Sequence, residues 1–412
     1  MIVKSPLLFT LLLGFVCIQC KDTNTILERV LSNTDPAIQT IVQQLEKHEV
    51  QILLTEVIKL DEAPLDFKST SFQLNNDLYF YPASTVKLPI AALALQKLRE
   101  LNSSGIPIDA ETQFEIRDRE GAPIQLDDAS HSEGKLTIAH LIKKIFLVSD
   151  NDAYNYLFDF LGRDYINASL QKMGLQHTQI FHKFLADADN EKTWEYTFFS
   201  NSGETLYHQQ SLSSQWKASN SNLKGVRKGK GFNSKGTLVE SPMNFSEKNR
   251  IAILDLEGIL RRLIFPESFP PSNRFGLETA DYDFLRFWMS RTTLESSSPN
   301  YNDADHWDSY GKYFIYGDKE GEMTDEIRIY NKVGYAYGTL TDVAYIHDKA
   351  NDISFFLTAT ILVNENEIFN DDTYEFDSLG IPFLATLGRL VLEDLRMQKI
   401  SVLKAPRRLG VD

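Results

Sequence analysis

Cysteine is almost absent: the 412 residues carry two, Cys17 and Cys20, both within the first twenty positions. Cleavage before Cys20 leaves one thiol and no internal disulfide, so stability must come from a packed core. Histidine is sparse as well, eight in all. His131, His140, His177 and His182 form no His-x-x-x-His or His-x-His spacing, so a metal-dependent hydrolase lacks its ligands, and each reads as a surface or capping histidine. No metal or other cofactor is expected. There is no basic surplus: Lys and Arg number 42 against 57 Asp and Glu, a formal charge of -15 spread along the chain. That distribution excludes a nucleic-acid footprint, and nucleic acid is not expected as a partner. After the first twenty residues no run reaches the roughly 18 uninterrupted apolar residues that a membrane helix needs. No internal repeat is evident.

What is present is an ordinary globular composition, 42% hydrophobic and 24% charged, enough for a sizeable core. The opening MIVKSPLLFTLLLGFVCIQC places Lys4 before a short apolar run from Pro6 to Ile18. This is the pattern of a signal peptide over 1–20, with 21–412 as the mature chain, exported across a bacterial inner membrane to the periplasm or cell envelope. Cys20 resembles the acylated cysteine of bacterial lipoproteins, although Gln19 stands where a small residue is usual and Cys17 where an aliphatic one is. A lipid on Cys20 is the one membrane contact expected.

Asp35 as N-cap and Pro36 at the first helical position open an amphipathic helix running to Lys47. QILLTEVIKL at 51–60 and LYFY at 78–81 read as paired strands. From Leu88 the run LPIAALALQKLREL has the composition of a buried helix that ends near Asn102-Ser-Ser-Gly105. Helices over 138–148 and 153–160 flank a polar turn, and 84–190 otherwise shows few strands, which suggests an all-helical lobe. Between 190 and 245 the composition shifts to Ser, Asn, Gly and Lys, with the basic run KGVRKGKG at 224–231, and a flexible insertion is expected. Helices over 250–264 and 284–289 follow. Strands at 327–334, 340–346 and 353–363, with Gly334, Gly338 and the polar run 347–352 as turns, precede a last helix over 382–396. The expected fold is therefore α/β, an α+β sandwich. An antiparallel sheet built from 21–81 and 246–412 carries N- and C-terminal helices and an inserted helical lobe.

Three short motifs carry the chemistry. Ser-x-x-Lys alone means little, since it also occurs at Ser132, Ser169, Ser214, Ser221, Ser309 and Ser401. At Ser84-Thr85-Val86-Lys87 the context is different: the serine follows Pro82 and stands at the start of the Ala-rich helix, so Lys87 lies one turn on and on the same face. A serine hydroxyl is a poor nucleophile until a base takes its proton, and a lysine among cations and apolar walls can lose enough pKa to do so. Ser149-Asp150-Asn151 sits between two helices, where such residues also serve as N-caps. Lys332-Val333-Gly334 closes a strand, with a glycine that lets a ligand approach the backbone.

In this order the three elements resemble the Ser-x-x-Lys, Ser-Asp-Asn and Lys-Thr-Gly signature of class A beta-lactamases and related penicillin-binding proteins. PASTVKLPIAALAL at 82–95, KLTIAHLIKKIFLVSDNDAYNYLFDFLG at 135–162 and the chain from Lys332 onward are similar to that family. The resemblance implies a sheet of about five strands. It implies Ser84 as the acylated nucleophile, Lys87 as its proton acceptor and Ser149 as proton donor to the leaving nitrogen. Asn151 and Gly334 would contact substrate, Lys332 would orient Ser149 and attract the substrate carboxylate, and the amides of Ser84 and Tyr335 would form the oxyanion hole. The implied partner is a beta-lactam or a peptidoglycan-like peptide.

The signature breaks in two places. The glutamate that activates the deacylating water in class A enzymes is missing, because Phe184 falls where it is expected, with Asp187, Asp189 and Glu191 as the nearest carboxylates. Val333 replaces the hydroxyl of the usual threonine. Acylation is thus better supported than hydrolysis of the acyl-enzyme. The readings left open are a beta-lactamase-like hydrolase, a D-alanyl-D-alanine peptidase, a penicillin-binding or sensing protein that deacylates slowly, and a binding module whose contact surface is 190–245.

Overall fold

The computed structural model describes residues 24–58, 65–321 and 323–404; the signal segment, Cys17 and Cys20 lie outside them. Three short helices, Ile26–Leu31, Pro36–Val42 and Leu45–His48, come first. Asp35 caps the second, accepting from the Ala37 amide at 2.8 Å, with Pro36 at the first helical position. Strands β1, Gln51–Ile58, and β2, Asp66–Phe72, follow, and then the helices α1, Lys87–Ser103, α2, Ile138–Val148, α3, Asn151–Leu161, and α4, Ile253–Ile264. The chain ends with β3, Ile327–Ala336, β4, Thr339–Asp348, β5, Ile353–Leu362, and the long helix α5, Ile381–Lys404.

These strands form one five-stranded sheet in the order β3-β4-β5-β1-β2, with every pair antiparallel. The two ends of the chain therefore share a sheet, as expected. The central strand β5 shows why its sequence is an almost unbroken apolar run: both faces are covered. Phe355, Leu357, Ala359 and Ile361 pack under the terminal helices with Leu384, Leu387 and Val391. Phe356 points the other way, into the core of α1, α2, α3 and α4, because successive strand residues face opposite sides. Arg29 locks the first helix to α5 through Asp394, with both nitrogen–oxygen distances under 3 Å, at 2.8 and 2.7 Å. Between β3 and β4 the two turn residues Tyr337 and Gly338 have φ of +52° and +73°, the combination that matches a two-residue hairpin to strand twist.

Several expectations are corrected. LYFY is not a strand beside β1: Tyr79 donates to the Lys224 carbonyl at 2.8 Å instead, and β1 takes the polar edge strand β2. The helical lobe is not all helical. Short strands Pro123–Gln125, Phe114–Arg117, Glu195–Phe199 and Thr205–Gln209 make a four-stranded sheet against it. Residues 190–245, expected as a flexible insertion, supply two of those strands and further two- to four-residue strands at 227–244, and they bury Tyr196, Phe198 and Phe245 completely. Asparagine side chains tie the connecting loops of this region and its borders to their neighbours. Asn220 Nδ2 donates to the Lys248 carbonyl at 2.9 Å, and Asn249 Oδ1 accepts the amides of Phe181 and His182 at 2.7 and 3.1 Å. Helices 253–264 and 279–290, expected with the sheet lobe, share their core with α1 and α2. Gly334 is no turn residue but lies inside β3.

Leu357 is completely buried in β5. Leu357→Ala should cost about 2–5 kcal/mol, read as a lower urea midpoint with an unchanged slope.

Candidate active site

Pro82 ends the approach to α1 and fixes the local turn, so Ala83 takes φ of +46°, a conformation that costs an L-residue energy. Residues Ala83–Val86 then form a 3-10 turn that runs straight into α1. The Thr85 hydroxyl and amide both donate to the Pro82 carbonyl, at 2.7 and 3.1 Å. Ser84 is thereby held at the mouth of a buried helix, partly exposed, with Lys87 one turn on and wholly buried.

Ser149 ends α2 in the left-handed region, φ +58°. Asp150 caps α3 through the Ala153 amide at 2.7 Å. The N-cap role read for this triplet thus belongs to Asp150, and the left-handed turn before it frees Ser149 to face the cleft. Lys87 Nζ donates to the Ser149 carbonyl, to Asn151 Oδ1 at 2.7 Å and to Ser149 Oγ at 3.3 Å. From the other side Lys332 Nζ donates to Ser149 Oγ at 2.8 Å and to the Val333 carbonyl at 2.9 Å. Both lone pairs of the Ser149 hydroxyl are taken by lysines, so its one proton is free to be donated elsewhere.

Gly334 completes the arrangement by what it lacks. A Cβ there would lie 2.7 Å from the Pro82 carbonyl oxygen, 2.7 Å from the Ser84 nitrogen and 2.8 Å from the Thr85 nitrogen. All three are backbone atoms, so β3 can lie this close to the Ser84 turn only with glycine at that position. The next residue, Tyr335, is 53% exposed, and its ring meets Phe376 edge-on at 5.2 Å. Every residue singled out from the described sequence, Ser84, Lys87, Ser149, Asn151, Lys332, Gly334 and Tyr335, is therefore at one cleft.

Two adjoining cavities make up that cleft. One, about 670 Å³, is lined by Ser84, Asn151, Phe184 and Lys248 among others. The other, about 660 Å³, is lined by Ser149, Lys332 and Val333. Tyr335, Asp372, Tyr374 and Phe376 stand between them and line both.

The electrostatics follow from burial. Lys87 Nζ lies 5.3 Å from the centre of the Phe184 ring and 6.0 Å from that of Tyr154, and the two rings stack at 4.5 Å. Desolvation lowers the Lys87 pKa to about 7, against an opposing pull from Asp150 and Asp152. Desolvation, and then the nearby charge of Lys87, holds Lys332 well below the usual lysine range. A buried Lys332 that donates to Ser149 and to the Val333 carbonyl is a poor attractor for a substrate carboxylate. That role, implied by the resemblance, is not what its surroundings favour.

The loop carboxylates are engaged elsewhere. Asp189 meets Arg119 at 3.2 Å and Glu191 meets Arg163 at 3.2 Å, and neither these two nor Asp187 lines either cavity. His182 is not a surface histidine. It lines the Ser84 cavity, stacks on Tyr81 at 6.1 Å, and desolvation lowers its pKa to about 4. His140 is likewise fully buried. No group of three or more His, Cys, Asp or Glu among the described residues could hold a metal ion, and none of the described helices is long and apolar enough to cross a membrane.

Residues 33–216 match the model of the beta-lactamase enzyme family, so the resemblance noted in the sequence is found over that stretch. It contains Ser84, Lys87, Ser149 and Asn151 and stops before Lys332. No curated protein matches the chain. Among solved structures, the beta-lactamase from Sphaerobacter thermophilus is 14% identical with a TM-score of 0.47, covering 87% of this chain and 94% of its own. That from Desulfarculus baarsii is 14% identical with a TM-score of 0.48, covering 87% and 96%. That from Streptomyces albus G is 12% identical with a TM-score of 0.47, covering 86% and 96%.

The Gly334 contact yields a direct test. Gly334→Ala should cost about 1–3 kcal/mol in urea unfolding, because overpacked backbone must shift.

Proposed function

We propose that this chain is a serine acyl-hydrolase that opens a beta-lactam or related amide through an acyl-enzyme on Ser84. The observation that carries the reading is the hydrogen-bonded sequence Lys87, Ser149, Lys332 beside a serine at a helix mouth. Ser84 Oγ attacks the amide carbonyl carbon while Lys87 Nζ, present in part as the free amine near neutral pH, takes the hydroxyl proton. The amides of Ser84 and Tyr335 hold the oxyanion, each such donor being worth about 3–4 kcal/mol of transition-state stabilisation. As the carbon–nitrogen bond breaks, the leaving nitrogen takes the Ser149 proton, and the lysines flanking Ser149 replace it. Water then cleaves the Ser84 ester to give the acid and the free serine. In the same reading residues 1–20 direct export and Cys20 carries a lipid at the cell envelope.

A second reading differs only in the last step. Phe184 presents a ring, and no carboxylate, where the family glutamate is expected, which favours a long-lived acyl-enzyme of the penicillin-binding or sensing kind, or a D-alanyl-D-alanine peptidase.

Intact mass spectrometry of residues 21–412 incubated with a penicillin should show an adduct that Ser84→Ala lacks. The rate of its appearance should rise with pH up to about 7 and level off above, since the free amine of Lys87 is the reactive form. An adduct that vanishes as product appears supports the hydrolase, and one that persists supports the second reading. Labelling of Ser84→Ala would overturn both.

A further inference from the structure

Among the described residues lining the cleft, one lysine neither bonds the catalytic residues nor pairs with a carboxylate. Lys87 and Lys332 both donate to Ser149, and Lys183 is paired with Asp159 at 2.8 Å. Lys248 lines the Ser84 cavity, and among the described residues no carboxylate is within ion-pair reach of it. Asp372, the one acid lining that cavity, makes no such contact. The Lys248 ammonium lies 5.9 Å from the centre of the Tyr337 ring, and partial burial lowers its pKa. Its backbone is anchored, since its carbonyl accepts from Asn220 at 2.9 Å and the neighbouring Asn249 holds the amides of Phe181 and His182. In a chain with 57 acids and 42 bases, a partly desolvated ammonium on an anchored backbone, with no carboxylate partner among the described residues and in the same cavity as the nucleophile, is suited to an anion from outside.

The side of the substrate it would meet follows from the proton path. This step rests on the acyl-enzyme reading above. Ser149, the donor to the leaving nitrogen, lines the other cavity with Lys332, so the leaving nitrogen lies on that side. The acyl portion then lies in the cavity of Ser84, Phe184 and Lys248. The leaving-group side offers no comparable cation: its lining includes Asp318, Glu320 and Asp377, with Lys332 its only basic residue. We infer that Lys248 is a specificity-determining residue that selects substrates bearing a carboxylate on the acyl portion.

The test uses two penicillins identical but for a carboxylate, one with a phenylacetyl side chain and one with its α-carboxy counterpart. Acylation of the mature chain is followed by intact mass at low ionic strength. The expected result is a preference of about tenfold for the carboxylated compound, the scale of one charge-assisted contact. That preference should fall near unity in Lys248→Gln, return in Lys248→Arg and shrink in high salt. Equal rates in the native protein, or a preference that Lys248→Gln leaves intact, would overturn the inference while the adducts themselves uphold the acyl-enzyme reading. No adduct with either compound would overturn both.

Discussion

One hydroxyl between two lysines organises this cleft. Ser149 Oγ accepts from Lys87 on one side and Lys332 on the other, and these three residues come from α1, the α2–α3 corner and β3. Two ammonium groups cannot both keep their protons cheaply across a single oxygen, since each charge penalises the other where water is excluded. The pair is thereby biased toward holding fewer protons than two free lysines would. The proposed acyl transfer, which takes a proton from one serine and gives one to a departing nitrogen, would draw on that bias. The features around it serve to keep the three groups at hydrogen-bond distance: the left-handed turn at Ser149, the cap at Asp150, and a glycine where β3 touches the Ser84 turn.

Water exclusion is the second requirement, and aromatic rings meet it. Phe184 and Tyr154 flank the Lys87 ammonium, and Tyr154 is itself anchored by its hydroxyl to the His182 carbonyl at 2.8 Å. A carboxylate in place of Phe184 would stabilise the protonated lysine and raise its pKa. The ring does the reverse. Phe184, standing where the resemblance places a water-activating acid, thus also favours the neutral form of Lys87, and under the proposed function that favours acylation over deacylation.

Much of this was legible in the sequence, and the exceptions have physical causes. The apolar run of β5, the alanines of α1 and the Asp35-Pro36 start all declare themselves locally, because burial on both faces, helix propensity and capping each leave a residue pattern. The Ser84, Ser149 and Lys332 motifs were visible as an ordered set. LYFY misled because Tyr79 and Tyr81 pack into a cluster with Phe245 and Phe369 while the real sheet edge, DFKSTSF, is largely polar on its open face. The strands of 190–245 were hidden because they are short, and the Ser- and Asn-rich composition of the region also describes a loop. His182 and Lys248 could not be assigned from spacing: they reach the cleft through Asn249, far from any motif, and only the folded chain brings them beside Ser84.

The most direct test of the central claim is a titration of lysine side chains by carbon-13 NMR in selectively labelled protein, with the Lys87 signal assigned by Lys87→Met. The account predicts a Lys87 midpoint near 7, set by burial against the pull of Asp150 and Asp152. A midpoint near the ordinary lysine value of about 10.4 would contradict it.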